Sequence, residues 1–222
     1  MIKRIICVII GILCLGFGIS LTIYSTLGSD PLATFLINLG YLGNVNYTTA
    51  YLFVNFIFFL FMLIYIKDKV NIGTILALLL MGIFIDVFQN FLIGLPITEK
   101  VYESLTLKIV VVIIGILLST LGVALYGEGN LGLSPYDGCP LILSRYIKGF
   151  KFTYAKIGLD LLLVVLSLLL CLINKTLNNE YYLPRIITFV SFVVYGPLIS
   201  FFSVLVNKII FKNSFFIKFN CF

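Results

Sequence analysis

Histidine and tryptophan are absent from this chain, and charged residues make up only 11% of it. Without histidine, the side chain that most readily serves as a base near neutral pH is missing. The five cysteines, Cys7, Cys14, Cys139, Cys171 and Cys221, show no spacing that reads as a metal site or a disulfide framework. No serine or cysteine sits in a nucleophile motif, and no phosphate-binding glycine loop appears. The sequence therefore points to no enzyme, no cofactor and no metal. The shortage of charge excludes more. A soluble domain carries about 25% charged residues, and this chain has too little polar surface to cover a water-soluble globule.

What is present is apolar: 61% of the 222 residues are hydrophobic. A helix needs about 20 apolar residues to cross a bilayer. Six runs qualify, at residues 5–26, 48–66, 71–93, 107–126, 155–172 and 184–207. They do not alternate as the strands of a membrane barrel do. The first run follows Lys3 and Arg4 but has no small-residue cleavage site, so it reads as a retained span.

The net charge of +6 is unevenly spread. With the N-terminus inside, eleven Lys and Arg fall in cytoplasmic segments and four, Lys100, Lys108, Lys175 and Arg185, in outer ones. That bias predicts both termini in the cytoplasm. It assigns the basic charge to the anionic inner leaflet and not to a nucleic acid. The basic aromatic tail, 209–222, is expected to lie on that leaflet.

The runs are organised by a repeat. Leu27-Gly28-Ser29-Asp30-Pro31 returns 104 residues later as Leu131-Gly132-Leu133-Ser134-Pro135. Residues 11–31 align without a gap on 115–135, with eight of 21 pairs identical, three of them glycine and one proline. Weaker matches pair Asn55 with Asp160, and Thr74, Gly82 and Asp86 with Thr188, Gly196 and Ser200. The expected units are 1–105 and 106–208, three spans each. An odd number of spans per unit makes the copies inverted in the membrane, the plan of many secondary transporters. In each unit, Asp30 or Ser134 caps a short helix that begins at Pro31 or Pro135. These short helices, 31–39 and 135–146, either lie in the interface or dip into the protein.

The glycine-rich first span, Leu131-Gly132-Leu133-Ser134-Pro135-Tyr136-Asp137, and Gly82-Ile83-Phe84-Ile85-Asp86 together resemble the YczE/YyaS/YitT family of bacterial membrane proteins. Asp30 in place of a second serine, and Pro197 after Gly196, depart from the internal pattern. The resemblance implies a multi-pass protein of the bacterial plasma membrane and no agreed activity.

An acid inside a span is costly and usually faces the bundle interior or water. The binding candidates are therefore Asp30, Asn55, Asp86, Glu128, Asn130, Ser134, Tyr136, Asp137 and Asp160. Lys156 lies one helical turn before Asp160, where an i,i+4 ion pair is the plainer reading. Gly127 and Gly129 are expected to break the helix around Glu128. Gly18, Gly28, Pro31, Gly122, Gly132 and Pro135 are the packing or hinge candidates, with spans one and four crossing near a symmetry axis.

The expected fold is an all-α membrane protein: six transmembrane helices in two inverted three-helix repeats, each with a short helix after its first span. The expected function is a small-molecule or ion transporter with its site between the repeats. The alternatives are a substrate-binding subunit of a larger importer and a regulatory or assembly protein without a transport path. Partners are the lipid bilayer and a solute, with a homo-oligomer or a membrane partner also open.

Overall fold

The computed structural model describes residues 2–147, 152–176 and 182–211, without the side chains of Phe192 and Phe211. Lys148, Gly149, Lys151 and the tail from 212 onward lie outside the described residues. The chain is helical: α1 (Ile2–Tyr24), α2 (Pro31–Gly43), α3 (Tyr47–Tyr65), α4 (Ile72–Ile93), α5 (Thr98–Glu103), α6 (Leu105–Gly129), α7 (Pro135–Tyr146), α8 (Phe152–Ile173) and α9 (Ile186–Val206). A short π-helical turn, Asn207–Phe211, follows α9. Among the described residues, six helices are long and apolar enough to cross a membrane, so this is a multi-pass membrane protein in contact with lipid.

Helices α1 and α6 form the central pair, packed antiparallel. Gly11 meets the backbone of Gly122 and Tyr126, and Gly18 meets that of Gly115 and Ser119. A methyl group added at Gly11 would lie 2.6 Å from the Tyr126 amide nitrogen. Only glycine permits this approach. In lipid, where apolar burial no longer drives association, close backbone packing is what holds such helices together. Helix α4 lies along the other side of α1. There the Ser20 hydroxyl donates to the carbonyls of Gly16 (2.8 Å) and Ile85 (3.2 Å), and Gln89 donates to the Ser20 carbonyl at 2.7 Å. Helix α9 lies along α6, where Ser119 donates to the Tyr195 hydroxyl at 3.1 Å.

The two short helices dock far from their own position in the chain. Helix α2 lies along α8: Asn38 donates to Ser167 (3.0 Å) and to the Tyr182 carbonyl (2.7 Å), while Cys171 and Asn174 donate back to Asn38. Asp30, at the start of α2, is within electrostatic reach of Lys156 and Asp160 on α8. The two helices therefore run in the same direction. Helix α7 lies along α3 in the same manner. Tyr136 faces Phe58, Gly138 abuts Met62, and the Tyr146 hydroxyl donates to the Tyr65 carbonyl at 3.1 Å. Helix α2 thus begins beside the first half of α8 and finishes near its end, and α7 begins beside the second half of α3 and finishes at its end.

Two glycine turns make this geometry. Gly28 and Gly132 have φ of 109° and 110°, a region open to glycine at little cost. Gly28 packs on Arg185 and Thr188 at the start of α9, and Gly132 on Asn71 and Thr74 at the start of α4. The Ile187 amide donates to the Leu27 carbonyl at 3.4 Å, and the Gly73 amide to the Leu131 carbonyl at 2.7 Å.

Glu128 requires a correction. The glycines beside it do not break the helix, because α6 continues through Gly129 and ends at Asn130, which caps it at φ 49°. Gly129 lies against Val8 and the Arg4 carbonyl of α1. That packing holds the last turn against the low helix propensity of glycine.

Candidate functional site

The starts of α2 and α7 and one turn of α8 bring acids and aromatics together. Helix α7 opens with Ser134, whose hydroxyl accepts the Asp137 amide at 3.3 Å and lies 2.9 Å from Asp137 Oδ2. Pro135 supplies the first helical residue, where a missing N–H costs nothing. This cap points the next side chain, Tyr136, across to α8, where its hydroxyl donates to Asp160 Oδ1.

Lys156 completes the cluster from one turn earlier on α8. Its ammonium lies 3.3 Å from Asp137 Oδ1, 3.6 Å from Asp160 Oδ1 and 3.4 Å from the centre of the Tyr136 ring. The i,i+4 pair expected from the sequence is present, but it is one side of a cage. Two carboxylates from different helices and one aromatic face surround the same cation, an arrangement that favours a desolvated ammonium. Asp160 is the most enclosed member, with a side-chain exposure of 10%.

Asp30 caps α2, with Oδ1 accepting the Ala33 amide at 2.9 Å. Its other oxygen is buried and has no hydrogen-bond partner. The charges of Lys156 and Asp160 both act on it. Tyr51 of α3 and Tyr195 of α9 are within electrostatic reach of Asp30 as well. Neither tyrosine stands out in the sequence, because single tyrosines in apolar helices read as packing. Asn38 was equally silent. An asparagine in a short apolar helix was the available signal, but its partners lie more than a hundred residues away.

The remaining candidates lie elsewhere or do other work. Asp86 accepts both the amide (2.8 Å) and the hydroxyl of Thr48 at the first turn of α3. A carboxylate there satisfies free amides and the positive end of the helix. Asn55 is fully buried one turn from Tyr51, donates to the Tyr51 carbonyl at 3.1 Å and leaves Oδ1 without a partner. Glu128 is buried near Cys7, away from the cage. Asn130 is an exposed helix cap. Gly18 and Gly122 lie in the α1–α6 contact, while Gly28, Pro31, Gly132 and Pro135 shape the entries to the short helices. Among the described residues, no group of three or more Cys, Asp or Glu is set to hold a metal ion.

Comparison with known proteins places this arrangement in a family without an assigned activity. A family model described as "Family of unknown function (DUF6198)" matches residues 2–204. The chain is similar to a Bacillus subtilis (strain 168) protein described as "Uncharacterized membrane protein YczE". The two are 26% identical over 152 residues, which is 68% of this chain and 67% of that protein. No solved structure matches the chain.

Proposed function

We propose that this chain, which belongs to the DUF6198 family of unknown function, is a small-molecule or ion transporter. Its site lies between two inverted repeats, 1–105 and 106–208. The same reading includes the wider YczE/YyaS/YitT grouping, the bacterial plasma membrane and cytoplasmic termini.

The observation that carries it is the convergence of two half-length helices on one partly buried charged cluster. Each is docked on the second span of the opposite repeat, α2 on α8 and α7 on α3. Helix starts that meet inside a bundle offer free amides and capped acids to a solute, as broken helices do in secondary transporters.

Paired contacts support the inversion. Exchanging each residue for its partner 104 positions away turns the Gly11–Gly122 contact into the Gly18–Gly115 contact. The Gly28–Thr188 contact has its counterpart in Gly132–Thr74, with the glycines 104 apart and the threonines 114 apart. Thr26 and Asn130, also 104 apart, both have positive φ.

Single cysteines at Val45 and Ile147, exposed just past the finishes of α2 and α7, and at 160, in a cysteine-free background, test the proposal in whole cells. Position 45 is expected to react with impermeant thiol reagents from outside, 147 only from inside, and 160 through water. Labelling of 45 and 147 from the same side would remove the inverted-repeat basis. An unreactive 160 in a protein with the expected sidedness would mean a dry core, and the regulatory or assembly reading would replace transport.

A further inference from the structure

The Lys156 cage has the features of a ligand site, and its present occupant belongs to the chain. We propose that Lys156 is a tethered stand-in for the substrate, and that the transported solute carries a primary ammonium group that takes its place between Asp137, Asp160 and the Tyr136 ring. This deepens the transport reading and rests on it.

Three features of the cage set the chemistry. First, its walls select a cation: a ring face at 3.4 Å and carboxylate oxygens at 3.3 and 3.6 Å from the nitrogen. Second, the local charge calls for a cation. Asp137 and Asp160 line the cage, and Asp30, with one buried unbonded oxygen, is within reach of Lys156. If Lys156 leaves, three acids remain, and a neutral or anionic solute would leave them uncompensated, most severely at the enclosed Asp160. Third, Lys156 can leave. It sits in the second turn of α8, which starts at Phe152, and its side chain is 25% exposed. A lysine near a helix end can turn its ammonium toward the interface while its stem stays on the apolar surface. Departure then needs a rotamer change and no backbone shift. The resident group is an ammonium, so the fitting solute group is an ammonium.

The test measures binding to the purified, full-length protein, with n-butylammonium as probe and tetramethylammonium and sodium as controls. Wild-type protein is expected to gain thermal stability with n-butylammonium and not with the controls. In protein carrying isotope-labelled lysine, the Lys156 side-chain resonances, assigned by their loss in Lys156→Arg, are expected to move toward those of a solvated lysine as n-butylammonium displaces the side chain from the Tyr136 ring. Lys156→Met, which keeps an unbranched stem, is expected to bind the probe about tenfold more tightly or better. Adding Asp160→Asn to it should abolish the gain.

If n-butylammonium changes neither the stability nor the Lys156 resonances of wild-type protein, the inference is wrong. That wild-type pair of readouts decides the matter even if Lys156→Met does not fold. A folded Lys156→Met with no gain in affinity also overturns it. Reconstituted vesicles separate this from the transport reading. Ammonium binding with displacement but no flux rejects transport and keeps the cage as an ammonium site. Flux of an uncharged solute with no ammonium effect keeps transport and rejects the substrate class.

Discussion

At the scale of single residues, two kinds of position decide whether the chain can fold. Glycines 11, 18, 115 and 122 let α1 and α6 touch backbone to backbone. Gly122→Val would drive its side chain into Leu15 and Gly11, at a cost of about 3 kcal/mol or more. The expected result is loss of the monodisperse peak in detergent size exclusion, whereas Gly196→Ala, which meets nothing within 4 Å, leaves the peak intact.

Thr26 is the opposite case. It holds φ 59°, where a β-branched residue is strained, while Asn130 takes the matching turn after α6 with a residue suited to it. Thr26→Asn is expected to stabilise the protein by about 1 kcal/mol, read as a rise in melting temperature.

Residue types made part of this legible beforehand. Asp30, Ser134 and the prolines after them announced helix starts, and the paired glycines announced a close crossing. Glu128 was misread because local propensity favours a break at Gly-Glu-Gly, and contacts with α1 overrule it. Asn38 was invisible because its value lies wholly in partners distant along the chain.

At the scale of elements, the short helices are attached differently at their two ends. Their starts lie among charged and aromatic groups, while the second half of α2 is held by the buried Asn38 network and the finish of α7 by surface contacts. At the finish of α7, Arg145 donates to Asp68 at 2.9 Å, with both side chains about half exposed (52% and 51%). The Arg145 hydrogen bond, more than its charge, holds the Asp68 carboxyl below the usual carboxylate range. A lowered folded-state pKa contributes stability above the unfolded value, near pH 4, and that contribution disappears as pH falls through the folded value. Asp68→Asn should therefore leave melting almost unchanged near neutrality. It should also flatten the small acid-side loss below about pH 4, and a melting series against pH checks both. Apolar runs and proline positions made these helices readable from sequence. Their docking partners were not readable, because matching two helix faces across the chain leaves no local pattern.

At the scale of the whole molecule, the proposed halves are interlocked. Helix α2 of the first packs on α8 of the second, and α7 of the second on α3 of the first. Coexpressed fragments 1–104 and 105–222 are expected to yield a folded complex in membranes, while either fragment alone is degraded. Detection of tagged fragments after membrane extraction gives the answer. A stable lone fragment would show that the halves are independent domains joined in series.

The exchange of short helices also sets an order of events during synthesis. The face of α3 that receives α7 enters the bilayer well before α7 has been translated, and α2 waits for α8 in the same way. Until then the nascent chain carries bare polar groups, including Asn38 and the uncovered end of α2, in a lipid environment that cannot satisfy them. Closure of this protein is thus expected in two steps, α7 onto α3 and later α8 onto α2, and a ribosome stall or truncation before α8 is expected to leave α2 uncovered and the fragment open to quality-control proteolysis.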